Sequence, residues 1–167
     1  YMPDKTRYAP REVGLADVEE ITLEGKGGVK LIAWYQPAER GKPTLLYFTG
    51  NSGSAANRAR KIEAIAASGY GVFMLNYRRY GGSGGWPTER NNIADAVAAY
   101  QYLQDELGVA PRNIVAYGES LGTGVATRLA LLRRVKALVL EAPFTSVVDV
   151  GRQVWWFLPL RLVMTDQ

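Results

Sequence analysis

The sequence predicts an α/β fold: a mostly parallel sheet with helices on both faces and an N-terminal antiparallel hairpin. Three observations carry that expectation. Short apolar strands alternate with helices of a dozen or so residues, the pattern of parallel strands joined by right-handed crossovers. Ahead of them, two period-two runs flank a glycine-rich turn. The 167 residues, 47% hydrophobic and 22% charged, suit one compact domain over 1–167.

The hairpin comes first. Val18 to Glu24 and Val29 to Tyr35 alternate apolar and polar residues, and Gly25-Lys26-Gly27-Gly28 joins them. Thr44 to Phe48 is a nearly continuous apolar run, as expected of a strand buried on both faces. After Gly50-Asn51-Ser52-Gly53, a helical pattern covers Ser54 to Ser68, with Ala55, Ala59, Ile62, Ile65 and Ala66 on one face. A strand over Tyr70–Asn76 and a loop over Tyr80–Gly85 follow. Asn91 to Leu107 reads as a helix with Ile93, Ala96, Val97, Tyr100 and Leu103 inward, stopped by Gly108. Asn113–Tyr117 and Val135–Glu141 are the remaining strands, separated by a helix over Leu121–Leu132.

Composition excludes several functions. With no cysteine and no histidine, neither a disulfide framework nor an ordinary zinc site is expected. The net charge is +4, and the basic residues form only short clusters: Arg78-Arg79, Arg133-Arg134, and Arg58, Arg60 and Lys61. Nucleic acid is not an expected partner. Val154 to Met164 is apolar but too short to span a bilayer, and Pro159 and Arg161 interrupt it.

The chemistry is carried by Gly118-Glu119-Ser120-Leu121-Gly122, placed between a strand and a small-residue helix. Strand–GxSxG–helix is the pattern of a nucleophile elbow, which displays one serine hydroxyl above a sheet. Glycines belong at 118 and 122 because side chains there would collide with the strand and helix. At a helix N-terminus the serine also lies beside free N–H groups. A plain glycine-rich turn would share this spacing; its position on the third strand–helix unit favours the catalytic reading. Acyl transfer needs a second N–H donor, and Asn51, in the loop after Thr44–Phe48, is the candidate to act with Leu121.

Four ordered segments carry a resemblance that covers nearly the whole chain. They are Tyr47–Gly53, Asn76–Ser83, Tyr117–Gly124 and Glu141–Ser146. Together they resemble the α/β-hydrolase superfamily, and within it the abhydrolase-domain serine hydrolases, which act on lipid, acyl and other ester substrates. The resemblance implies Ser120 as nucleophile and the N–H groups of Asn51 and Leu121 as oxyanion hole. It implies a small-molecule ester or acyl substrate and no cofactor. Relatives often begin with a membrane anchor, and Tyr1-Met2-Pro3-Asp4 resembles the end of the segment that follows it.

Two departures accompany the resemblance. Thr49 stands where the family usually has a histidine that packs the oxyanion loop. The family's catalytic acid and histidine follow later strands, and here none of the 167 residues is histidine. The expectation is an α/β-hydrolase core incomplete at the C-terminus, with acid and base outside it and little activity by itself. Its last strand would leave an exposed edge open to self-association. Glu141 is expected to be structural, Glu119 to orient locally or face solvent, and no lysine is near enough in sequence to suggest a Ser–Lys dyad.

Two other functions compete. A non-catalytic binding module on a hydrolase scaffold would also lack a base. Gly118, Gly122 and Gly124 match the glycine spacing of short-chain dehydrogenases, and Glu141 lies 19 residues after Gly122, about where a ribose-binding acid would fall. That motif belongs on the first strand–helix unit, however, and the Tyr-x-x-x-Lys pattern occurs only as Tyr1–Lys5, broken by Pro3. Addition of NADH or NADPH is therefore expected to leave the melting temperature unchanged in a thermal-shift assay; a clear rise would favour the dehydrogenase.

Overall fold

The structure is a computed structural model that describes residues 1–143. Its elements in chain order are β1 (Met2–Pro3), β2 (Glu19–Gly25), β3 (Val29–Gln36), β4 (Thr44–Phe48), β5 (Ser52–Gly53), α1 (Ala59–Ala67), β6 (Gly71–Leu75), α2 (Glu89–Asp105), β7 (Ile114–Glu119), α3 (Leu121–Leu132) and β8 (Ala137–Glu141). Six strands form the main sheet in the order β2-β3-β6-β4-β7-β8. The hairpin pairs β2 with β3 in antiparallel fashion, β3 is antiparallel to β6, and β6, β4, β7 and β8 run parallel.

Side-chain alternation along each strand divides the core in two. Ile32, Trp34, Tyr47, Val72 and Met74 face α1, packing around Ile62. Leu31, Leu46, Phe48, Phe73, Leu75 and Ala116 face α2 and α3, packing with Ala96, Tyr100, Leu103, Val125 and Leu129. Both faces of the central strands are thus covered, which is why β4 and β6 read as unbroken apolar runs.

The connections place the site. From β4 the chain crosses through α1 to β6 on one side, whereas from β7 it crosses through α3 to β8 on the other. Neighbouring parallel strands whose connections leave in opposite directions open a crevice at their carboxyl ends, where ligands bind in open α/β sheets. Here that crevice lies between the ends of β4 and β7.

Three details differ from the sequence-based expectation. The Ser54–Ser68 segment opens with a 3₁₀ turn over Ala55–Arg58, closed by Asn57 Oδ1 accepting from the Ser54 amide at 2.7 Å, and becomes α-helical at Ala59. β1 was not anticipated: Met2 and Pro3 pair in parallel with Ser52 and Gly53. The inward face of α2 carries Asn92, Asp95 and Ala99 beside Ala96, Tyr100 and Leu103, while Ile93 and Val97 are only partly buried. Apolar periodicity does not report Asp95 because its burial is compensated by charge. Arg78 Nε donates to Asp95 Oδ2 at 2.7 Å and Nη2 to Oδ1 at 2.9 Å, with Nη2 also donating to the Lys26 carbonyl. This pair joins α2, the loop after β6 and the hairpin turn.

The Phe144–Ser146 and Val154–Leu160 segments lie outside the described residues. On its outer side β8 has no partner strand among the described residues, and Leu138, Val139 and Leu140 are exposed there.

Asp95→Ala leaves the buried Arg78 guanidinium without its counter-ion, a change that costs about 3–5 kcal/mol in comparable buried pairs. Urea unfolding is expected to show a loss of that size, and a change under 1 kcal/mol would contradict the role given to this pair.

Candidate active site

β7 ends at Glu119 and α3 begins at Leu121, leaving Ser120 alone to reverse the chain. It does so at φ 49° and ψ −114°, a conformation strained for a residue with a side chain. Three hydrogen bonds hold it there: the Ser120 amide donates to the Glu141 carbonyl at 2.9 Å, and the Ser120 carbonyl accepts from the Thr123 amide at 2.9 Å and hydroxyl at 2.7 Å.

The flanking glycines are required by contact. A Cβ at Gly118 would stand 2.3 Å from the Gly122 carbonyl oxygen, and one at Gly122 would stand 2.1 Å from the Phe48 carbonyl oxygen. The start of α3 therefore lies directly on the end of β4. This contact brings the loop after β4 beside the serine: the Cβ position at Gly50 is 3.5 Å from Ser120 Cβ.

That loop is held through its carbonyls. Tyr77 donates to the Thr49 carbonyl at 3.0 Å. The Asn51 carbonyl accepts from the Tyr80 hydroxyl at 2.7 Å and from the Met2 amide at 3.0 Å. Arg58 donates to the Ser52 carbonyl at 2.6 Å. The carbonyls of Thr49, Asn51 and Ser52 are thus engaged, whereas the Asn51 amide donates to no backbone carbonyl among the described residues. The Leu121 amide, first in α3, likewise donates to no backbone carbonyl among the described residues, because a helix start lacks acceptors. The two segments that carry these amides follow β4 and β7, whose ends flank the crevice; Asn51 is exposed and Ser120 half-buried.

On the α1 face of the same strand ends lies a set of charges and phenols. Glu119 accepts from Arg58 Nη2 at 2.9 Å and from the Tyr47 hydroxyl, and lies 3.7 Å from Lys61 Nζ. Glu141 accepts from Lys61 Nζ at 2.6 Å and from the Tyr117 hydroxyl. The Tyr47 and Tyr117 rings stack at 4.5 Å between centroids. Burial works to raise the Glu119 pKa, but the hydrogen bonds from Arg58 and Tyr47 outweigh it and hold the carboxyl below its ordinary range. Lys61, then Tyr117, do the same for Glu141. Both glutamates are thus anchored by partners, and Glu119 does not simply face solvent.

Residues 43–162 match the model of the α/β-hydrolase fold family. The chain belongs to the α/β-hydrolase family. An uncharacterised Mycobacterium tuberculosis protein is 40% identical over 149 residues, covering 88% of this chain and 53% of its own length. The α/β hydrolase domain-containing protein WAV2 of Arabidopsis thaliana is 38% identical, covering 84% of this chain and 47% of its own. Lysophosphatidylserine lipase ABHD12 of Danio rerio is 36% identical, with 75% and 36% covered. Among solved structures, the Pyrococcus furiosus esterase Pf2001 superposes with a TM-score of 0.74 at 25% identity, covering 97% of this chain and 66% of that one. The chain spans about half the length, or less, of these three sequence relatives. Membership in the α/β-hydrolase family displaces the dehydrogenase reading, and the 118/122 spacing is explained by backbone contact.

The structure thus brings together Ser120, Leu121 and the loop bearing Asn51. Arg58, Lys61, Tyr47 and Tyr117 were missed as neighbours of the site. Their signal was slight: Arg58 and Lys61 stand three apart at a helix start, and only the fold brings them to β7 and β8. Among the described residues no three His, Cys, Asp or Glu side chains gather as metal ligands would.

Gly122→Ala is expected to destabilise the protein by about 3 kcal/mol or more, because the added methyl meets backbone that cannot yield. Gly124, two residues on, has nothing within 4 Å of its Cβ position. Gly124→Ala should therefore stabilise α3, by up to about 1 kcal/mol. Chemical denaturation of both variants checks the pair, and equal effects would contradict it.

Proposed function

We propose that Ser120 is the nucleophile of a hydrolase that cleaves an ester-type bond through an acyl-enzyme. The observation that carries this reading is the strained backbone of Ser120 at the β4/β7 crevice, near two amides without carbonyl partners among the described residues. Backbone strain of about 1–3 kcal/mol persists only where surrounding contacts impose it, and it gathers at functional sites. The lipase and esterase among the similar proteins support an ester substrate, whether carboxylester, lipid or thioester.

In this mechanism Ser120 Oγ attacks the substrate carbonyl carbon while a general base takes its proton. The carbonyl oxygen gains negative charge and is held by the N–H groups of Leu121 and Asn51. Collapse of the tetrahedral intermediate expels the alcohol or thiol, which receives the proton, and water then releases the acid from Ser120. No residue of the 167 is histidine, so the base and its orienting acid are proposed to come from outside this sequence. Without them the serine is a weak nucleophile, and these residues alone should turn over substrate slowly.

A fluorophosphonate probe tests the reading on the full-length protein. The wild type is expected to be labelled at Ser120, and Ser120→Ala to lose both labelling and p-nitrophenyl ester hydrolysis by several orders of magnitude. Absence of labelling in the wild type would favour a binding module on the hydrolase scaffold.

A further inference from the structure

We propose that Arg58 is a positioning residue that clamps the Asn51 loop to the Ser120 turn and so sets the spacing of the two oxyanion-binding amides. This inference rests on the reading of Ser120 as nucleophile and adds a residue to that site.

The two amides belong to separate segments. Leu121 is carried by the β7–α3 turn, and Asn51 by the loop after β4. Their relative position must be held to a fraction of an ångström for both to meet one oxygen, since a displacement of about 1 Å can cost 10²-fold in rate. The backbone contact of Gly122 with Phe48 sets the base of the loop but does not reach its tip.

Arg58 does reach it. Nη1 donates to the Ser52 carbonyl at 2.6 Å, next to Asn51. Nη2 donates to Glu119 Oε1 at 2.9 Å and Nε to Glu119 Oε2 at 3.4 Å, next to Ser120. Among the described residues it is the one side chain that hydrogen-bonds both segments. The Cβ position of Gly50 marks the junction, with Glu119 Oε1, Ser120 Cβ and Arg58 Nη2 at 3.5, 3.5 and 3.6 Å. The side chains are only 13% exposed for Arg58 and 22% for Glu119, so solvent screens the pair weakly. Tyr47 steadies the far side of the carboxylate through its hydroxyl.

A guanidinium suits this task because it is a planar fork with donors on both sides. Lysine at 58 would keep the charge opposite Glu119 but could not engage both segments in fixed geometry.

The test uses the full-length protein with p-nitrophenyl butyrate and a fluorophosphonate probe. Arg58→Gln is expected to lower kcat and the labelling rate at Ser120 by about 10- to 100-fold, less than the 10²–10³ lost when an oxyanion donor is removed. KM should stay within about threefold, because the amides act on the transition state. Arg58→Lys should recover part of the rate. Amide hydrogen exchange of residues 49–53 and 118–122 should quicken in Arg58→Gln while the rest of the sheet stays protected. Labelling within threefold of wild type, or a rate loss that matches the fraction unfolded, overturns the proposal. Should Arg58→Gln not fold, Glu119→Gln, which keeps the shape and weakens the pair, must show the same kcat-selective loss or the proposal falls. A wild type that is not labelled at Ser120 removes the nucleophile reading. Exchange alone then decides the clamp: faster exchange of both segments in Arg58→Gln supports it, and unchanged exchange overturns it.

Discussion

The start of α3 can rest on the end of β4 only because two residues have no side chain. At Gly122 the gap between the helix and the Phe48 carbonyl is smaller than a methyl group, and at Gly118 the strand meets the returning chain just as closely. This contact determines where the first turn of α3 points, and with it the direction of the free Leu121 amide. It also leaves one residue to join strand to helix, which drives Ser120 to a positive φ. Strain, amide direction and proximity to the β4 loop all descend from one backbone-to-backbone approach.

The loop after β4 is ordered on another principle. The carbonyls of Thr49, Asn51 and Ser52 accept from donors in different parts of the chain: Tyr77, then Tyr80 and Met2, then Arg58. With these carbonyls bonded to the protein, the loop is held without any charged side chain of its own. The phenols supply hydroxyl donors whose ionisation is suppressed. Burial pushes the Tyr77 and Tyr80 hydroxyls above their ordinary values, so both remain protonated donors near neutral pH. The Thr49 departure from the family pattern is compatible with an ordered loop for this reason.

Much of this was legible in the sequence where one physical rule acted alone. β4 and α3 lie where apolar continuity and small-residue helical spacing put them, and the hairpin follows from alternation and its glycine turn. The Ser120 turn was legible because a close approach leaves glycines as its trace. Other features depend on pairs of residues far apart in sequence. Asp95 reads as a solvent-facing helix position until Arg78, 17 residues earlier, is seen to bond it in the core. Lys61 and Glu141 are 80 residues apart and meet only because the fold brings the start of α1 within side-chain reach of the ends of β7 and β8. The β1–β5 pairing, two residues long, carries no periodicity to detect.

The charge set at the strand ends illustrates how a buried polar group serves placement more than stability. Arg58 pairs with Glu119, and Lys61 with both Glu119 and Glu141; in such partly buried pairs the cost of desolvation offsets much of the attraction. Apolar residues of similar size would hold α1 against the sheet at least as firmly, as they do at Ile62. They would not fix direction. A hydrophobic contact tolerates sliding, whereas a forked donor shared between a carboxylate and a carbonyl has one geometry. The residues beside Ser120 are therefore charged where the core beneath them is apolar. Buried area supplies the cohesion of the sheet, and directional bonds fix how the segments beside Ser120 lie against each other.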